Sequence, residues 1–172
     1  MKSPLLRVVL TLSLVSSVTA STGLAAENTP AAAAAANAPA VAAAQSPDQV
    51  VKAYLTAMQA HQFAAAYQLV SSTLRAGKSE EEWSKEQQYI MQMGEVKIIE
   101  FKVYPAIVGA DGIARVPNLL KSQDKYLNQL GLDEHELYEL IQEGGAWRID
   151  QQTLAEGADR AKFFPDAGTK KE

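Results

Sequence analysis

The chain has 172 residues, 47% hydrophobic and 21% charged, with a formal net charge of -4. That is enough for one globular core, and it lacks the basic footprint that neutralises phosphates, so no nucleic-acid partner is expected. There is no cysteine, which excludes disulfides, thiolate metal ligands, a cysteine nucleophile and a lipid attached to a cysteine behind a signal.

Residues 1–26 read as a signal peptide: Lys2 and Arg7 give a positive start, Val8 to Val18 is apolar with small hydroxyl residues, and small residues follow. Cleavage could follow Ala20, Ala25 or Ala26, and the apolar run is short of the ~20 residues that a spanning helix needs. The expected location is periplasmic or secreted, with no membrane span left after cleavage. Residues 27–45, nearly all alanine broken by Pro30, Asn37 and Pro39, read as a spacer.

A domain is expected over 46–156, followed by a polar C-terminal tail over 157–172. In "SPDQVVKAYLTAMQA" Ser46 is the N-cap, Pro47 the first helical residue and Gln49 the capping-box partner, after which Val50, Val51, Tyr54, Leu55 and Met58 recur at helical spacing. "QFAAAYQLVSS" predicts a second, short helix with Phe63, Ala66, Tyr67 and Val70 on one side. Ser79 and Glu82 start a third, which Gly94 stops, with Trp83, Gln87, Ile90 and Met93 as its inner stripe.

After Gly94 the period changes from helix to strand. In "EVKIIEFKVYPAIV" the apolar set slips by one residue, as a bulge at Ile98–Ile99 in a long bent strand would make it. "GADG" at 109–112 is a turn signal and "IARVPNLLK" the antiparallel return. "SQDKYLNQLG" reads as a short helix from Ser122 to the Gly131 stop, with Tyr126, Leu127 and Leu130 on one face. "ELYELIQEGGAWRID" is a hairpin turning at Gly144–Gly145. Pairing Glu143 with Ala146 sets Gln142 opposite Trp147, Leu140 opposite Ile149 and Tyr138 opposite Gln151. Tyr138, Leu140, Trp147 and Ile149 then share the packed face, and His135 falls on the other, in water.

The chemistry-bearing constellations are sparse. His61 and His135 have no helical two-histidine spacing, so no metal site is expected. "DEHE" at 133–136 lacks the alternating ligands and central glycine of a calcium loop and reads as a solvated acidic start of a strand. There is no glycine-rich phosphate loop and no Gly-x-Ser-x-Gly elbow, and no cofactor is expected.

Helices followed by an antiparallel sheet with a bent first strand, together with "VVKAYLTAMQAHQFAAAYQLV" at 50–70, resemble the nuclear transport factor 2-like superfamily, and its ketosteroid isomerases in the first two helices. The resemblance implies an α+β class: three N-terminal helices packed on a curved antiparallel sheet, a cone-like fold. It matches Tyr54 to the tyrosine that, in the isomerases, donates a hydrogen bond to a developing oxyanion. The family's general base does not transfer, because "SSTLRAGKSEEEW" at 71–83 offers only acids that suit the first turn of a helix, and no match exists for the protonated acid that helps hold the oxyanion.

These readings predict an exported, non-catalytic binding or accessory domain that meets a small apolar ligand or an envelope protein through its cone cavity or sheet face. Tyr54, Trp83, Phe101, Tyr138 and Trp147 are the residues expected to line the cavity, with no catalytic residue assigned. The resemblance also makes a homodimer through the open sheet an expectation. The alternative is an isomerase, dehydratase or cyclase using Tyr54, which a carboxylate beside Tyr54 in a cavity would favour; a filled cone would leave the sheet surface as a protein contact.

Overall fold

The computed structural model describes residues 45–164; the signal-like run, nearly all of the spacer and residues 165–172 lie outside them. The elements follow in the order α1 (Pro47–Gln59), α2 (Phe63–Tyr67), α3 (Ser72–Arg75), α4 (Glu80–Gly94), β1 (Lys97–Val103), β2 (Ile107–Val108), β3 (Ala114–Gln123), β4 (Asp133–Glu143), β5 (Ala146–Leu154) and α5 (Gly157–Phe163). The strands form one antiparallel sheet in the order β1-β3-β4-β5, with β2 also pairing β3. This is the expected α+β class. None of the described helices is long and apolar enough to cross a membrane.

Helices α1, α3 and α4 begin where their caps dictate. Ser79 Oγ accepts from the Glu82 N–H at 3.3 Å while Glu82 accepts from the Ser79 N–H at 2.9 Å, so two otherwise orphaned donors are satisfied reciprocally. At α1 the Gln49 side chain accepts from the Ser46 N–H in the same way. Val50, Val51, Tyr54, Leu55 and Met58 all point into the core. Four helices precede the sheet instead of three, because Ser71 Oγ caps a short α3 by accepting from the Leu74 N–H. The same serine donates to Asp150 at 2.7 Å. Backbone bonds between Leu69, Ser71 and Ile149 cover part of the outer edge of β5.

The end of α4 differs from the expectation. Gly94 is its last residue and Glu95 takes the left-handed conformation, φ 50°. What Gly94 supplies is room, since a Cβ there would lie 2.9 Å from Val96 Cγ2. The buried row is Trp83 and Met91 with Gln87 half-buried between them, an i, i+4 sequence, whereas Ile90 and Met93 are exposed.

The bulge lies where the slipped pattern puts it, between Ile98 and Glu100. A second irregularity, between Glu139 and Leu140 where β4 meets β5, corrects the hairpin register: Leu140 faces Ile149 as expected, but Tyr138 faces Gln152 and Glu139 faces Gln151. Trp147 is only half-buried against the core.

Residues 122–131 are not a helix. Ser122 and Gln123 complete β3, and the Asp124 carboxylate then accepts from the backbone N–H groups of Tyr126, Leu127 and Asn128 at 2.7, 2.7 and 2.9 Å. Buried Asn128 donates to the carbonyls of Ser122 and Leu132 and accepts from the Leu132 N–H. These side chains take the backbone bonds that a helix would have used. Tyr126, Leu127 and Leu130 consequently point to solvent.

Two apolar clusters result. The main one fills the space between the helices and the inner face of the sheet. A smaller one lies on the other face, where Phe163 and Phe164 at the end of α5 bury against Leu137 and Ala155 beside Tyr104. The segment expected as a polar tail thus begins with a strap of core. It also covers His135, whose ring meets the edge of Phe164 at 4.7 Å. The histidine is half-buried, not wet, and burial lowers its proton affinity, with Arg160 adding to the effect.

Candidate functional site

The polar feature of the interior is a carboxyl group. Strand alternation sends Glu136 to the same face as Tyr138 and Leu140, and the β3–β4 register sets Asn118 directly opposite it. Glu136 is 4% exposed. Its Oε2 accepts from Asn118 Nδ2 at 2.9 Å and from the Tyr138 hydroxyl at 3.1 Å, and its Oε1 accepts from Gln152 Nε2 at 2.7 Å. Both oxygens are engaged by the chain itself, by neutral donors and no cation.

Helix α1 closes the cluster from above. The Tyr54 ring meets Tyr138 edge to face with centroids 6.2 Å apart, and among the described residues the Tyr54 hydroxyl makes no hydrogen bond. Asn118 Oδ1 is buried and likewise without a partner among them. Burial raises the proton affinity of Glu136, against the three hydrogen bonds that lower it. Burial first, and the neighbouring Glu136 second, push both tyrosines up, so their hydroxyls remain protonated at neutral pH.

In chemical terms this is a tyrosine pair with a carboxyl group of raised proton affinity, the equipment of general acid–base and oxyanion chemistry. Burial limits access. Tyr54, Asn118, Glu136 and Tyr138 are buried, with Gln152 exposed beside them, and a hollow of about 410 Å³ lies elsewhere, against the loop after β3. Nor do the described residues hold any group of three or more His, Asp or Glu side chains that could bind a metal.

Of the five residues expected to line a cavity, Tyr54, Trp83 and Tyr138 are buried, and Phe101 and Trp147 pack half-buried on the same cluster. Only Tyr54 and Tyr138 are partners in the polar site. Trp83 stands against Tyr67, 5.9 Å between ring centroids, on the helical side. Glu136, Asn118 and Gln152 are absent from the sequence-based set, and "DEHE" is no solvated start of a strand at its last residue. The signal was available: a period of two that buries Tyr138 and Leu140 buries Glu136 as well, and Val116, Asn118 and Leu120 alternate in the same way.

No family model matches the chain, and no curated protein matches it. Similar solved structures include Bd1075 of Bdellovibrio bacteriovorus, 12% identical with a TM-score of 0.44 over 64% of this chain and 39% of that one. Another is the intermembrane space region of the chloroplast protein ARC6, at 13% identity and a TM-score of 0.40 over 62% and 92%. A third is an NTF2-like protein of unknown function from Cytophaga hutchinsonii ATCC 33406, at 11% identity and a TM-score of 0.39 over 63% and 89%. The chain spans about two fifths of the length of Bd1075.

Proposed function

We propose that this chain is an exported, non-catalytic accessory domain of the nuclear transport factor 2-like type, which meets an envelope protein through the outer surface of its sheet. The observation that carries the reading is the closure of the interior: Glu136 spends both oxygens on Asn118, Tyr138 and Gln152, under a helix that buries Tyr54. A small apolar ligand would have to displace core side chains to enter. Export rests on the signal-like run. The superfamily reading rests on the order of helices and strands and on residues 50–70. For the protein contact, Ile99, Ile107 and Val108 offer exposed apolar side chains along β1 and β2.

The second reading, an isomerase-like enzyme, is favoured by the carboxyl group beside Tyr54 and Tyr138. One experiment separates the two. Purified full-length protein is incubated with an enolisable cyclic ketone in deuterated buffer, and exchange at the α-carbon is followed by NMR. The accessory reading predicts exchange no faster than buffer alone. Catalysed exchange that Tyr54→Phe or Glu136→Gln lowers about a hundredfold, with the fold intact, would replace it with the enzymatic one.

A further inference from the structure

Helix α5 has a small hold on the sheet it crosses. Its residues from Gly157 to Lys162 are exposed, and burial is confined to Phe163 and the following Phe164, against Leu137 and Ala155 beside Tyr104. The backbone bonds of the segment stay inside it, from the Asp159 N–H to the Glu156 carbonyl and from the Phe164 N–H to the Arg160 carbonyl. Its N-cap, Glu156, makes no side-chain bond, and Gly157 turns into the helix at φ 53°. An element attached through two side chains and a glycine joint opens locally at a fraction of the cost of unfolding the sheet.

His135 lies under this strap. Its ring stands across that of Phe164, 4.7 Å between centroids at 86°, and Tyr104 meets the same phenylalanine at 5.6 Å. Of the elements around the imidazole, α5 brings Arg160 and β4 brings Asp133 on the same face, while Glu134 and Glu136 alternate to the other. Strand β3 sets Leu119 opposite it, and β5 contributes the Ala155 N–H, which donates to the His135 carbonyl at 2.7 Å. On β1, Lys102 stands over the Tyr104 ring at 4.8 Å. Protonation therefore puts a like charge beneath the element that carries Arg160, in a half-buried place where Asp133 answers it only in part. Burial first, and Arg160 second, hold the imidazole below its ordinary range.

We propose that α5 is an acid-released strap: protonation of His135 frees Phe163 and Phe164 from the sheet and uncovers an apolar patch of Leu137, Ala155 and Tyr104 on its outer face. The sign follows from linkage. A group whose proton affinity the closed strap lowers supports closure fully above its ordinary pKa, and withdraws that support as pH falls through the closed-state value. The strap opens in acid and not in base. The proposal goes beyond the accessory reading, since the device works whether or not a partner takes the uncovered patch.

The absence of cysteine lets one introduced thiol report the cover. Full-length Ala155→Cys places a small thiol under the strap, and Gln151→Cys an exposed one on the same strand. Their rates of reaction with a dithiodipyridine are taken as a ratio, which cancels the common effect of pH on thiols. The expected result is a ratio that rises about fivefold from about pH 7.5 to about pH 5, and that stays flat when His135→Gln is added. A flat ratio with His135 present, an equal rise without it, or a thiol at position 155 as reactive as one at 151 at the higher pH overturns the proposal. In the otherwise unaltered chain, amide exchange of residues 158–164, corrected for its intrinsic pH dependence, should quicken by the same factor while α1 keeps its protection. Quickening in both segments, the mark of general acid unfolding, or in neither, also overturns it.

Discussion

Trp83 is 4% exposed and wedged against Tyr67, whose ring also carries the Arg75 guanidinium 4.2 Å from its centroid. Trp147 packs with one side on the core and the other toward solvent. The two tryptophans should therefore differ in urea denaturation: Trp83→Ala is expected to cost about 3–5 kcal/mol, the range for a large aromatic truncated in a core, and Trp147→Ala about half of that. Equal costs would place Trp147 deeper than the register allows. His135→Ala should cost about 0.5–1.5 kcal/mol, the worth of an aromatic edge contact, through its loss against Phe164. At this scale the sequence was legible where a residue's period and its chemistry agree. Tyr54 and Tyr138 are apolar enough to be read as inward-facing. Glu136 and Asn118 obey the same period, but their polarity argues for solvent, and only the cross-strand register shows that each is the other's partner.

Capping residues decide where α1, α3 and α4 begin, and they carry their meaning in the local sequence. Ser79→Ala removes one side of a reciprocal pair and should destabilise the protein by about 1 kcal/mol, measured by thermal unfolding. No loss would mean that Glu82 alone satisfies the turn. Strands and hairpin were legible for the same reason, since the change of period after Gly94 and the Gly144–Gly145 turn are local signals. The elements misread depend on contacts that sequence does not display. In the loop after β3, Tyr126, Leu127 and Leu130 imitate one face of a helix, while Asp124 and Asn128 take the backbone bonds a helix needs. At α5 and the residue after it, a segment that looks like a polar tail delivers Phe163 and Phe164 to the far side of the sheet.

On the scale of the molecule, the helices and the inner face of the sheet close on a carboxyl group that no cation among the described residues balances. Such a group is costly to ionise, and a chain can keep it either as core, saturated by its own donors, or as a reactive site that water and ligand reach. Closure favours the first. The consequence is a dependence on pH whose sign is fixed. Burial holds the folded-state proton affinity of Glu136 above the unfolded value, so its favourable contribution is complete below the unfolded pKa and is lost as pH rises through the folded pKa. Glu136→Gln keeps the shape and cannot ionise, and the other titrating groups cancel in the comparison. The most direct measurement is the denaturation midpoint of wild type and Glu136→Gln from about pH 4 to about pH 8. The variant is expected to gain on wild type steadily as pH rises. A difference that stays flat, or that turns against the variant at neutral pH, would contradict it, because the carboxylate would then be meeting water or a cation inside a cone that is open.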